Sequence, residues 1–259
     1  MAIVDNAYAV TSQGPTILNQ GLFEASSTQK YALGHTLRLN DGRVFKYAKA
    51  GADLTPGKLL QTPASTGSSD FFNCAIAENG TSGGRIGDTT LTVTLNGSTH
   101  ALAANALADG WVQIATSTGA GRQYKVLSNT AASAGGTTTI TLAEPLQAAI
   151  GASSTATLAL NQYNGVITRP ATGTGAPVGI APIAVSSGQY FWLQTYGRAT
   201  CLQDGAWSVN TQLVPSNGVD GAAEVQVAGT SGTVLPIIGF ACKVGADGLY
   251  GDLILTLEA

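Results

Sequence analysis

The run Tyr190-Phe191-Trp192-Leu193 places the hardest condition on how this chain can fold. On a pleated strand successive side chains point to opposite faces, so four large apolar residues in a row need cover on both sides. The surrounding stretch, Val178 to Leu202, reads as two strands. Val178 to Val185 alternates around Pro182, Ser186-Ser187-Gly188 has turn chemistry, and Gln189 to Thr195 is the aromatic strand. One face of that strand belongs to a core. The other is met either by a second layer of the same domain or by a neighbouring subunit, which makes Tyr190, Phe191, Trp192 and Leu193 core or oligomer residues.

Leu33 to Ala48 is the clearest hairpin in the chain. Asn40-Asp41-Gly42 fits a three-residue loop closed by a left-handed glycine, pairing Leu37 with Phe45 and His35 with Tyr47 on one face. A two-residue loop would set Leu37 opposite Lys46 and mix apolar with charged residues on both faces. Leu54-Thr55-Pro56-Gly57 then reads as a type II-like turn feeding a short strand at Lys58 to Gln61.

Residues 1 to 30 show neither helical nor sustained strand period, and read as an extended N-terminal arm. Ile3, Val4, Tyr8, Ile17, Leu18, Leu22 and Phe23 are its apolar side chains. They either find a groove on a partner's surface or form a first layer on their own domain.

Thr62 to Gly87 is loop-like apart from an apolar patch at Phe71 to Ala77, and a boundary is expected there. Asp88 to Leu160 carries five short strands, TTLTVTL, WVQIAT, RQYKVL, TTTITL and TATLAL, enough for a small barrel or sandwich with its own core. Two short helical stretches, Ala101 to Ala108 and Glu144 to Ile150, are expected between them. Beyond the TRPATGTGAPVG linker, further strands are expected at Gln212 to Val214, Glu224 to Ala228, Val234 to Lys243 and Asp252 to Glu258. In the last, Leu253, Leu255 and Leu257 should face inward.

Only 10% of the residues are charged, against roughly a quarter in ordinary soluble domains, so the surface must be built from small neutral groups. Scarcity of charge fits an assembled protein, because charged side chains keep monomers apart. Six Lys and six Arg scattered singly form no basic stripe, which argues against nucleic acid as a partner. No apolar run is long enough for a helical membrane span, and Asp5 stands where a secretory signal would need a basic start, so cytoplasmic synthesis is expected. Cys74, Cys201 and Cys242 are odd in number and set among apolar neighbours, as buried reduced thiols would be.

No catalytic, cofactor-binding or metal-binding set is expected. Gly80-Thr81-Ser82-Gly83-Gly84 matches the pattern of a nucleophile elbow but lacks the strand before and the helix after that would strain the serine. His35 and His100 have no nearby His, Cys or carboxylate in sequence, and the carboxylates occur singly.

Three pieces of the chain resemble the capsid decoration, or cement, proteins of tailed bacteriophages. They are GHTLRLNDGRVFKYAKAGADLTPGKLLQ, GWVQIATSTGAGRQYKVLSNTAASAGGTTTITLAEPL and VGIAPIAVSSGQYFWLQTYGRATCL. The resemblance implies an all-β fold. A β-sandwich or barrel-like domain made of 31–87 and 161–259 would be split by an inserted small β-barrel or sandwich domain at 88–160, after an extended arm at 1–30. It further implies a homotrimer or dimer on the virion surface, assembled in the host bacterial cytoplasm, with the major capsid protein as its partner. The alternative is a head- or tail-fibre type receptor- or glycan-binding protein, although the sequence shows no long repeat or coiled-coil shaft. A glycan-active enzyme would require paired carboxylates in a cleft lined by Trp111, Trp192 or Trp207, and no acid pair is evident.

Overall fold

A computed structural model describes residues 10–11, 14–15, 19–63, 69–77, 84–151, 153–226 and 235–257. The chain is all-β, and it divides into two compact units: residues 1–63 with 162–259, and residues 64–161.

The first unit begins with a small ribbon, β1 (Val10–Thr11) against β2 (Gly14–Pro15). The hairpin follows, β3 (Thr36–Arg38) and β4 (Val44–Ala50), in the expected register: Leu37 faces Phe45, and the Leu39 N–H closes the three-residue loop on Arg43. Gly42 sits there at φ 87°, the left-handed position that a side chain disfavours. The Pro-Gly turn falls one residue later than expected, as Thr55-Pro56-Gly57-Lys58, with Gly57 at φ 72°. It feeds β5 (Leu59–Gln61).

The second unit, β6 to β11, intervenes in sequence. The first then resumes with β12 (Asn164–Thr168), β13 (Pro177–Ile180) and β14 (Tyr190–Gln203), followed by β15 (Gln212–Pro215), β16 (Ala222–Val225), β17 (Gly239–Ala241) and β18 (Tyr250–Thr256). Val225 ends β16 earlier than expected, and β17 is shorter than the expected strand; Ala228, Val234 and Glu258 lie outside the described residues. Leu253 and Leu255 are buried as alternation requires.

β14 is the longest strand, at 14 residues, and its two halves serve different neighbours. Tyr190 to Tyr196 pair with β4, and the ladder continues β4–β12–β5–β13 and back to β14. Tyr196 to Leu202 pair with β18, and a second ladder runs β18–β17–β15–β16 and back to β14. Two closed five-strand circuits therefore share one strand. Each has its own core: Phe45, Leu60, Val166, Phe191 and Leu193 in the first, and Cys201, Trp207, Leu213, Ile238, Leu253 and Leu255 in the second.

The strand changes partners at an irregularity between Gln194 and Tyr196, followed by Gly197 at φ 87°. A Cβ on Gly197 would stand 3.0 Å from Arg43 Cα, so only glycine allows β4 to approach so closely. The buried Gln194 amide donates to the Tyr196 and Arg198 carbonyls, at 3.1 and 2.9 Å, satisfying backbone acceptors at the irregularity. Arg169, also buried, links the circuits a second time by donating Nη1 to the Ser216 carbonyl at 3.0 Å.

Both faces of the aromatic strand are covered within the subunit, and Phe191, Trp192 and Leu193 are each 0% exposed. The cover on the Trp192 side is the chain ahead of β3. Trp192 donates its indole N–H to the Gln20 carbonyl at 3.1 Å, and the Tyr47 hydroxyl donates to Gln20 Oε1 at 2.6 Å. Gln20 Nε2 donates to the Glu24 and Tyr190 carbonyls. Tyr31 completes the cluster, its ring centroid 5.1 Å from Trp192 and 5.3 Å from Tyr47. These four residues are core, with Tyr190 only partly buried. The expected arm is corrected at its C-terminal end, because residues 19–30 form this cover rather than a free extension.

The second unit is a closed six-strand antiparallel barrel. Its strands are β6 (Cys74–Ala77), β7 (Thr90–Thr94), β8 (Trp111–Ile114), β9 (Gln123–Asn129), β10 (Thr137–Leu142) and β11 (Thr155–Ala159), in the order β10–β7–β6–β11–β8–β9 around the wall. Alternation places Leu91 and Val93, Val112 and Ile114, Tyr124 and Val126, Ile140 and Leu142, and Ala156 and Leu158 inside, while threonines dominate the outer face of β7 and β10. The boundary expected at Asp88 is corrected to Ala64, because the apolar patch before it supplies β6 and closes the barrel.

Neither expected helix forms. Asn105 and Asp109 take positive φ, which breaks the stretch at 101–108 into turns. Leu146 and Ile150 instead exchange backbone hydrogen bonds with residues 84–88.

Gly197→Ala is expected to destabilise the protein by at least about 1–2 kcal/mol, because the left-handed backbone and the clash with Arg43 act together; urea unfolding measures it, and an unchanged midpoint would contradict the shared-strand account. Residues 64–161 expressed alone should fold, since they hold a closed barrel and a complete core; a poorly dispersed NMR spectrum would show otherwise.

Candidate binding cleft

A cleft of the first unit opens where β14 passes from one circuit to the other, and has a volume of about 680 Å³. Its floor is Gln194, Arg198, Ala199 and Thr200 of β14. One wall is the Thr55-Pro56-Gly57 turn with Ile180, Ala181 and Pro182, held together by Gly57 N–H to the Ala181 carbonyl and Leu202 N–H to the Gly57 carbonyl. Arg43, Tyr250 and Asp252 supply the rest.

Strand alternation puts Tyr250 and Asp252 on the same face of β18. The Tyr250 ring lies on Gly57, where a Cβ would come within 2.6 Å of it, and the residue is still 51% exposed. Asp252 takes a two-point hydrogen bond from Arg198: Nε donates to Oδ1 at 3.0 Å, and Nη2 donates to Oδ2. The carboxylate holds the Arg198 guanidinium charged, raising its already high pKa. Arg43 is engaged by Asp41, Nε to Oδ2 at 2.7 Å. Each cation in the cleft thus has a carboxylate, so the site carries little net charge, and Pro56, Ile180, Ala181, Pro182 and Ala199 make much of its lining apolar.

The second unit holds a different polar cluster. Asp70 is buried in the short 3-10 turn Ser69–Phe71, and its Oδ2 accepts the N–H groups of Thr99 and His100, at 3.1 and 2.6 Å. The same oxygen lies 2.9 Å from His100 Nδ1. The hydrogen bond to the His100 ring is the largest influence on Asp70, and with the backbone donors it holds the carboxyl below its usual range. Gly97 must be glycine here, since a Cβ would overlap the carboxylate. His100 thus has a single carboxylate partner, thirty residues away in sequence, which a search of its sequence neighbours does not reveal. The arrangement fastens the 96–100 loop to the barrel end.

Among the described residues, no group of three or more His, Cys, Asp or Glu is placed to hold a metal. The glycine-rich match at residues 80–83 lies outside the described residues, as do Ile3, Val4, Tyr8, Ile17 and Leu18 of the expected contact arm. Leu22 packs against the first core, and Phe23 is 59% exposed. His35 is exposed and stacks on Tyr31 at 5.1 Å; its carbonyl accepts the Tyr47 N–H. Trp192 and Trp207 are fully buried, so neither can line a glycan cleft; Trp111 is half-exposed on the barrel wall with the Lys125 ammonium over its ring.

Arg198 and Asp252 were not singled out from the sequence. Alternation along β18 does mark Asp252 as outward, but only the pairing of β14 with β18 brings Arg198 beside it. No family model matches the chain, and no curated protein or solved structure matches it either.

The three cysteines are free, but they are not equivalent. Burial pushes the Cys201 thiol up to about 12 and raises that of Cys74 as well. Cys242 is only partly buried, which corrects the expectation that all three are interior. A thiol reagent at pH 8 should label Cys242 readily and leave Cys74 and Cys201 untouched until the protein unfolds, because the thiolate is the reacting form. Mass spectrometry of the labelled native protein reads this directly.

Proposed function

We propose that this chain is a structural virion protein that binds the outside of a phage capsid and stabilises the head by bridging capsid subunits, acting as a homo-oligomer. The observation that carries the reading is the β17–β18 hairpin. Phe240, Val244 and Leu249 are all exposed along it, Val244 by 76%, in a chain with few charged residues. A monomer that remained free in solution would not favour such a stretch, whereas a lattice contact buries it. Each Å² of apolar surface covered contributes about 25 cal/mol, and a lattice presenting many sites multiplies the gain through effective concentration. Exposed Phe23 supplies a further apolar contact. The resemblance to decoration proteins points the same way.

Heads carrying the protein should release DNA at a higher temperature than bare heads. Val244→Asp with Leu249→Asp should lower occupancy on purified particles and return the rupture temperature toward that of bare heads, with the circular dichroism spectrum unchanged. Equal rupture temperatures with and without the wild-type protein would reject the stabilising role.

A further inference from the structure

We propose that the cleft at the β14 crossover binds a neutral saccharide, with Tyr250 as the stacking platform and the Arg198–Asp252 pair as the hydrogen-bonding group. This does not rest on the capsid-binding role and can hold or fail without it.

The cleft volume, about 680 Å³, lies within the range of roughly 300–1,000 Å³ common to small-molecule sites. Its polar and apolar elements are separated in the way a sugar requires. A pyranose presents an apolar face of C–H groups and an equator of hydroxyls. Tyr250 offers an aromatic face for the first, its ring packed close on the backbone of Gly57 where a side chain would collide with it. Two residues along the same strand, about 6.7 Å away by strand geometry, stands Asp252 with its Arg198 partner. The carboxylate accepts and the guanidinium donates, so the pair addresses two adjacent hydroxyls, each of which can do both. Thr200 adds a hydroxyl on the floor.

Charge narrows the ligand class. An anion such as a phosphate or a sialic acid needs cations free to meet it, and Arg43 and Arg198 are each already engaged by an aspartate. A cation would need an unmatched carboxylate, and Asp252 is matched. A neutral polyol leaves both ion pairs intact and exchanges only water for hydroxyl groups. Tyr250, Asp252 and Arg198 belong to β18 and β14, strands that the second closed circuit holds in place, so the platform and the ion pair are set before a ligand arrives.

The test is saturation-transfer NMR on the full-length protein with maltotriose, cellotriose, tri-N-acetylchitotriose and methyl-galactoside, alongside adenosine and 3′-sialyllactose as counter-probes. At least one neutral sugar should receive saturation and be displaced by none of the counter-probes. Tyr250→Ala and Asp252→Asn should each weaken it by at least about tenfold, equivalent to about 1.4 kcal/mol. Leu127→Ala, an exposed apolar residue of the second unit outside the cleft, should leave it unchanged. Asp252→Asn is nearly isosteric, so the test stands even if Tyr250→Ala disturbs folding. Binding of no neutral sugar, binding insensitive to both cleft variants, or preference for adenosine or the sialylated sugar would each overturn the proposal.

Discussion

One strand cannot follow two twisted ladders without a break in its own geometry, and the first unit is built around that break. β14 closes one circuit with its first half and another with its second, and the exchange is made at the irregularity after Gln194 and at Gly197. Everything near this point answers the same constraint. Arg43 comes close because Gly197 has no side chain, Gln194 turns its amide onto the carbonyls that the break would strand, and Arg169 ties the two ladders again from the other side. The cleft is a consequence of the break, because the wall of one circuit ends there before the wall of the next has begun.

The aromatic run shows how burial and hydrogen bonding must be solved together. Covering Trp192 with a layer of chain also covers its indole N–H and the Tyr47 hydroxyl, and an unmet polar group in that setting costs about 1–3 kcal/mol. Gln20 meets both with its carbonyl and side-chain oxygen, then uses its amide nitrogen on Tyr190 and Glu24. A glutamine in a stretch without period thus becomes the fastening of the layer. Nothing local in NQGLFEASS marks it for that role.

Features governed by nearest neighbours were legible in the sequence, and those governed by distant ones were not. The register of β3 and β4 follows from a three-residue loop and a two-sided polarity pattern, and the five later barrel strands follow from alternation. The sixth, β6, was hidden because Cys74-Ala75-Ile76-Ala77 is short and flanked by loop-like residues, so it carries too few alternations to register. Asp70 and His100 are drawn together by barrel closure, and Arg198 meets Asp252 only through the pairing of β14 with β18. Cys242 was misjudged because apolar sequence neighbours do not bury a residue on the outward side of a strand end.

Closure also decides how copies of this protein can meet. A sheet that returns on itself spends its main-chain N–H and C=O groups internally; among the described circuits every member strand has a partner on each side, and among the described strands single-partner edges are left only at short β3 and in the two-residue strands of the β1–β2 ribbon. Joining subunits by extending a sheet from one molecule to the next, the indiscriminate route that leads to fibres, is therefore largely shut. Whatever this chain attaches to must be chosen by side chains, and that restriction lets its contacts change one residue at a time without opening a path to aggregation.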